Sequence, residues 1–508
     1  SKIKLNTNGI GLYLEGTELT AVAAGSIESV NNTTAKGIYT DSNVNSAKNI
    51  TLLGDKSIAI HNFGKNSQYG ASNIDITNTG NIKIGDSSDR NDPSIGIYTK
   101  YANVNHHGTI ETGSKSLGIF SESPLNLTLH SNGSIKVGNE GLGVYKKQGT
   151  ADINGTIITG NSAAAVYADN NVTVNNNSAN VSVGDNSFGF IVLNNGTNNY
   201  NSSATTNFTM GSKSVYLYKT GANGVANTAT TVRSNGISST AFYAKDGGKI
   251  TNTGNVDFSN SIGSVGAYAS AGEVYNSGNI TIARSDIENN YYAIGMATQN
   301  GGKIVNNPGS TINVTGNYGI GMFAEGAGSR AENYGTIDIA GSGELKGAYG
   351  MYLNDNAYGL NMGTIKTGRY SNDSQKSASY GVAVLNGATL ENRGTIDIDM
   401  KNSYGIYIKN GIIKNYGTIT LKAPNSKGIV TANGAKDNVV EGTIVAQNGS
   451  AEKTKNIEGT AGGDKRFGDK TLSVPKGGLR NSTITDANGK VLTPAEIDVT
   501  TGTNLSVT

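Results

Sequence analysis

The sequence predicts an all-β chain wound as a parallel β-helix, a solenoid. Three observations predict it: a composition of strand and turn formers, a short strand motif that recurs along most of the chain, and no segment with helical periodicity. The 508 residues include 70 Gly but only 6 Pro and no Trp. Hydrophobic residues make up 36% and charged residues 15%, both low for a globular domain. Disorder at such low hydrophobicity usually comes with high net charge. Here the formal net charge is +2, and Ile, Val, Thr and Tyr, all strand formers, are plentiful. A chain of this length exceeds one compact core, so domains or a repeat array are expected.

Two motifs alternate. The first is a Gly followed by a short strand: NTGNIKI (Asn78–Ile84), NYGTIDI (Asn333–Ile339), NRGTIDI (Asn392–Ile398) and NYGTITL (Asn415–Leu421). The second is a GIY-like strand, at Gly37, Gly96 and Gly405, with GIF at Gly118, GVY at Gly143 and GMY at Gly350. Counting degenerate copies gives about 17 coils with a mean period of about 26 residues, within the range of solenoids, propellers and arrays. Two or three strands of four to six residues per unit exclude helical repeats, the missing Leu pattern excludes a horseshoe, and the unit is too short for a propeller blade. At about 4.8 Å per coil the rod would be about 80 Å long.

Each element has its reason. In NRGTIDI, Ile396 and Ile398 fall on one face of the strand and Asp397 on the other. One coil cannot bury its own apolar face, so each coil is the lid of the next. The Asn two residues before the Gly recurs at Asn78, Asn252, Asn276, Asn307, Asn333, Asn361, Asn392 and Asn415. Stacked, these amides could hydrogen-bond along the coils, as in cross-β ladders. Two residues after the anchor of the second motif stand Tyr13, Tyr39, Tyr98, Phe120, Tyr145, Tyr167, Tyr218, Tyr268, Phe323, Tyr352 and Tyr407. If the apolar neighbours of the anchor, Ile95 with Ile97 and Leu117 with Ile119, face in, the aromatics face out and form a stripe. Tyrosine is a common recognition residue, so Tyr98, Tyr145, Tyr352 and Tyr407 are candidate ligand-binding residues. The alternative is an aromatic stack that only closes a corner.

The repeat covers 1–446. Less regular coils near 170–235 read as longer or twisted loops rather than a domain break. The tail, 447–508, reads as a cap, a small β protrusion or a junction to a next segment, because an exposed terminal coil is a sheet edge that needs covering. Its Arg466 and Phe467 are further candidate ligand-binding residues.

Several function classes are disfavoured. The 40 basic and 38 acidic residues are interspersed, with no basic stripe for nucleic acid. No apolar run is long enough for a membrane-spanning helix. Cys is absent, which fits export through an oxidising compartment. The start at Ser1 reads as a piece of a longer protein. A glycosidase needs two carboxylates about 5–10 Å apart, yet Asp257, Asp338 and Asp397 lie on non-adjacent coils, with Thr281, Asn313 and Lys366 between them. Of the four His, only His106 and His107 are neighbours, and on a strand they point to opposite faces. The DSSDRND loop, Asp86–Asp92, lacks the Gly and Glu of a Ca²⁺-binding EF-hand. No catalytic residue, metal ligand or cofactor is expected.

The alternating GxY and NxGTIxI coils, the absent Cys and the Asn, Gly, Thr and Ser bias resemble the passenger domain of bacterial type V autotransporters, in particular the large fusobacterial autotransporter adhesins. The resemblance covers roughly 1–446. It implies a right-handed β-helix without catalysis, displayed at the cell surface and tethered to the outer membrane by a translocator barrel that is not in this chain. It further implies attachment to a host or bacterial cell-surface protein or glycan. A carbohydrate-active enzyme on the same fold and a passive spacer are the alternatives.

Overall fold

The structure is a computed structural model that describes residues 1–16, 22–65, 74–339, 347–368, 379–423, 426–431 and 442–446, plus a few strand residues at 439–440 and beyond 456. It is all-β, with parallel strands forming a solenoid of about 16 turns and a period of about 25 residues. A typical turn holds three strands, such as Tyr380–Leu385, Thr389–Asn392 and Thr395–Ile398. Each pairs in parallel, in register, with its counterpart one turn on: Tyr404–Lys409, Ile412–Asn415 and Thr418–Leu421. Three ladders result, and every turn satisfies its backbone groups through its neighbours. The chain divides into two compact units, Ser1–Tyr243 with Gly248–Gly254, and Ala244–Gly247 with Asn255–Thr508.

The GTI strand folds as its alternation requires. Ile396 and Ile398 are fully buried, and Asp397 between them is not. The GIY strand departs from strict alternation. In Leu117–Ser121 both Gly118 and Ile119 face in, while Leu117 and Phe120 face out. The expectation that Leu117 points inward is therefore corrected: the strand bends at its glycine, and two outward rows result instead of one. The same rung holds Ala59, Ala165, Tyr216 and Ala241 in other turns, but where it holds Gly the approach is close. A Cβ on Gly381 would lie 2.5 Å from the Gly405 carbonyl and 2.7 Å from Cγ2 of Ile396.

In the second unit the asparagines form the expected amide ladder. Asn276 Nδ2 donates to Asn306 Oδ1 at 3.1 Å, and Asn306 to Asn333 at 2.9 Å. The chain of bonds continues from Asn333 to Asn361 at 2.8 Å, to Asn392 at 2.7 Å and to Asn415 at 2.7 Å. All six side chains are buried. The rung expected at Asn307 is held by Asn306 instead, because the turn at 307–310 has four residues where the next turn has two, at 334–335, and Gly309 adopts φ +83°. In the first unit the same rung holds His106, Leu129 and Ile153, so the ladder there is partly apolar.

The coils at 170–235 keep three parallel strands, with a register shift between Ala168 and Asn170 where Asn170 pairs with Asn195. What changes is the filling. Phe190, Tyr200, Phe208 and Tyr216 lie fully buried, with Tyr216 on the rung that in other turns holds Gly or Ala. The tyrosine hydroxyls bond to each other at 2.6 Å, and Tyr216 donates to Thr230 Oγ1 at 2.7 Å. Large aromatics replace the Ile stack, which is why the GTI pattern blurs in the sequence. Lys146 and Lys219 are among the buried lysines of the first unit. Lys146 Nζ donates to Ser121 Oγ, Ser123 O and Leu125 O at 3.1, 2.8 and 2.5 Å. Lys219 Nζ donates to the carbonyls of Thr220, Gly221 and Asn223 at 3.0, 3.0 and 2.9 Å.

Candidate functional site: the aromatic face

The bend in each GIY strand turns two residues outward, three positions apart, on one face of the turn. In-register pairing stacks each kind into a row. The row two residues after the anchor runs, in the first unit, through Tyr13, Tyr39, His61, Tyr98, Phe120, Tyr145 and Tyr167. The rings of Tyr98 and Phe120 are 5.5 Å apart and tilted by 8°; Phe120 and Tyr145 are 4.5 Å apart at 9°; Tyr145 and Tyr167 are 5.3 Å apart at 17°. The predicted stripe is therefore outward and half-buried. His61 belongs to it, though the aromatic pattern did not include it. Burial holds its imidazole down at about 4, so it is neutral.

The candidates Tyr98 and Tyr145 are tied within the protein. Tyr98 donates to Glu122 at 2.8 Å and Tyr145 to Asp169 at 2.6 Å. Burial and these carboxylates push both phenols up. Beside this row the first unit has a groove of about 550 Å³, floored by the other outward row, Leu117, Leu142, Ala164 and Phe188. The loop at 86–93 edges it, and Arg90 bonds to Glu140 there at 3.0 Å. The carboxylates of that loop are each engaged separately. Asp92 pairs with Lys56 at 2.8 Å, Asp89 accepts from the Asn91 amide at 2.9 Å, and Asp86 accepts from the Ser114 amide at 2.7 Å.

In the second unit the candidates Tyr352 and Tyr407 lie in the same kind of row, with Ala383 between them in register. The other outward row, missed in the sequence, is Tyr349, Tyr380 and Tyr404, stacked at 4.7 Å and 9°, then at 5.1 Å and 11°. Its signal was present as the Tyr-Gly dipeptides that begin these three strands. Tyr349 meets Tyr352 edge-on at 5.2 Å, and Tyr380 meets Tyr407 at 5.8 Å. The five tyrosines, with Ala383 and Lys427, line a groove of about 340 Å³. Burial raises Tyr349 to about 12 and shifts Tyr352 and Tyr380 in the same direction, so these phenols stay protonated donors. Arg466 and Phe467 lie on a strand, Asp464–Phe467, paired antiparallel with Lys470–Ser473. Their side chains, and most of the 447–508 tail, lie outside the described residues.

The remaining titratable groups do not converge. Glu332 is paired with both Lys303, at 3.1 Å, and Arg330, at 3.0 Å. Glu391, two turns away on the same ladder, is held down by Arg393. His106 is buried and held at about 4, while His107 and His130 stack on the outside with ring centroids 3.8 Å apart. Among the described residues no group of three or more His, Asp or Glu could hold a metal ion.

These features define a class: a parallel β-solenoid built from short repeats, with rows of aromatic side chains on an outward strand face. Within that class, the family model of the BigA third pectate lyase-like domain matches residues 125–346 and again 343–451. The chain belongs to this family. A search of the curated proteins found no match.

Proposed function

We propose that this chain is a surface-displayed adhesin segment that binds by its aromatic face and performs no catalysis. One observation carries the reading: rows of half-buried aromatic rings lie outward on the turns, beside grooves of about 550 and 340 Å³. Stacked rings offer large apolar area at low entropic cost, with polar edges for orientation. The family match fits a β-helical passenger, and the attachment target in this reading is a host or bacterial cell-surface protein or glycan. Secretion as an autotransporter passenger, tethering through a separate barrel and a role in virulence are parts of the same proposal. The family's pectate lyase-like name describes a fold. The best-placed carboxylates, Glu332 and Glu391, are paired with cations rather than held as an acid and base.

The test is attachment of the purified, fluorescently labelled chain to epithelial cells and to bacterial cells, alongside an assay for release of reducing ends from polygalacturonate and host glycans. Saturable attachment with no release is expected. Turnover of any glycan, or no attachment to any cell, would overturn the reading.

A further inference from the structure

We infer that the tyrosine groove over Ala383 is a saccharide-binding subsite that takes one pyranose ring; this deepens the adhesin reading and rests on it. The argument begins with a missing rung. The outward row carries Phe323 and Tyr352 stacked at 5.7 Å, then Ala383, then Tyr407. With turns about 4.8 Å apart, the backbones that carry Tyr352 and Tyr407 stand roughly 10 Å from each other, and no ring of this row stands on the turn between them. The adjoining row does not skip: Tyr349, Tyr380 and Tyr404 form an unbroken wall. Tyr407 leans toward that wall, edge-on to both Tyr380 and Tyr404. The result is a groove with aromatic walls on three sides, at the base of which the surrounding rings shelter Ala383 to 1% exposure.

The hydroxyls decide what kind of ring fits. In the first unit two of the row's phenols are bound to carboxylates on the next turn, Tyr98 to Glu122 and Tyr145 to Asp169, while Tyr39 and Tyr167 carry no such bond to any described residue. Around the Ala383 recess the five phenols of Tyr349, Tyr352, Tyr380, Tyr404 and Tyr407 make no hydrogen bond to any described residue. No carboxylate lines the groove. A purely hydrophobic guest would leave these hydroxyls desolvated and unpaired, at a cost of about 1–3 kcal/mol for each one fully buried. A pyranose answers both demands. Its C–H face packs on an aromatic ring, and its equatorial hydroxyls exchange hydrogen bonds with phenols that both donate and accept. A proline-rich peptide also uses aromatic grooves, but its backbone supplies acceptors and few donors, which matches this ring of hydroxyls less well.

The experiment is saturation-transfer NMR of the full chain with methyl glycosides of glucose, galactose, mannose, fucose and N-acetylglucosamine, followed by titration of the best binder. The variants are Ala383→Phe, which supplies the missing ring as Phe120 and Phe323 do elsewhere in the row, and the triple variant Y380F/Y404F/Y407F, which keeps the rings and removes three hydroxyls. Circular dichroism checks that both are folded. The wild type is expected to bind at least one glycoside with millimolar affinity, with A383F and the triple variant each weaker by about tenfold or more. Binding unchanged in A383F, no binding to any glycoside, or displacement of the sugar by a proline-rich peptide at lower concentration would each overturn the subsite. Cell attachment of wild type and A383F separates the two levels. If both attach equally, the subsite falls and the adhesin reading stands; if wild type does not attach, the adhesin reading falls.

Discussion

Lys146 shows how much one buried side chain can demand. Its ammonium lies fully buried, with three oxygens accepting from it, and burial pulls its pKa from 10.5 down to about 7. The unfolded chain keeps a lysine protonated to about 10.4. Between about pH 7 and 10.5 the unfolded state therefore binds more protons than the folded one, and stability rises with pH. In urea unfolding at a series of pH values, the wild-type midpoint should climb across that window and that of Lys146→Met should climb less. Equal slopes would show that the three acceptors keep the amine charged throughout. The Asn ladder makes a second demand. Asn361→Leu removes one rung but leaves the Asn333 amide donor and the Asn392 acceptor buried without their partner. A loss of about 1–3 kcal/mol is expected in the same assay. Leu129 and Ile153 occupy the equivalent rungs of the first unit, where His106 Nε2, on the turn before Leu129, is buried without a partner. An Asn361→Leu protein as stable as wild type would show that the ladder adds nothing beyond filling space.

The GIY strand is the element on which the molecule turns. The strand bends whether its anchor is Gly, as at Gly405, or a larger residue, as at Tyr216, and the bend creates the second outward row. Gly381→Val would drive two methyl groups toward the Gly405 carbonyl and the Ile396 methyl. Overpacking of this kind costs about 1–3 kcal/mol, and the paired Tyr380 and Tyr404 rings should lose their alignment. Near-ultraviolet circular dichroism reads the second effect and thermal melting the first. Unchanged aromatic signals in a destabilised Gly381→Val protein would mean that the rows do not depend on the bend.

At the scale of the whole molecule, turns are interchangeable because each binds its neighbours through the same three ladders. Deleting residues 381–404 joins Tyr380 to Gly405, restoring the Tyr-Gly pair and bringing Asn361 opposite Asn415. The shortened chain should fold, with unchanged far-ultraviolet circular dichroism per residue and a melting temperature within a few degrees of wild type. It also removes Ala383, so Tyr352 gains Tyr407 as its next neighbour and the recess closes; glycoside binding should vanish with it. Failure of this deletion to fold would show that the turns are specific to their positions rather than modular.

Much of this architecture was legible in the sequence because it follows from local alternation. Ile396 and Ile398 inside with Asp397 out, the amides at Asn276, Asn333, Asn361, Asn392 and Asn415, and the outward Tyr98, Tyr145, Tyr352 and Tyr407 all follow from a period of two within strands and a repeat of about 25 residues between turns. Register was what the sequence left open. Two extra residues in the Pro308-Gly309 turn put Asn306 rather than Asn307 on the ladder, and spacing measured from the glycine could not detect it. The aromatic core at Phe190, Tyr200, Phe208 and Tyr216 looked like irregularity because it changes side-chain size while keeping three strands to the turn. The groove over Ala383 was hidden for a related reason. An alanine carries no signal of its own, and its meaning comes from Tyr352 and Tyr407 on the turns before and after it. Periodicity along the chain determined that the aromatics after each anchor face out; only the bend of the strand and the stacking of turns decided the second outward row and which rings stand side by side.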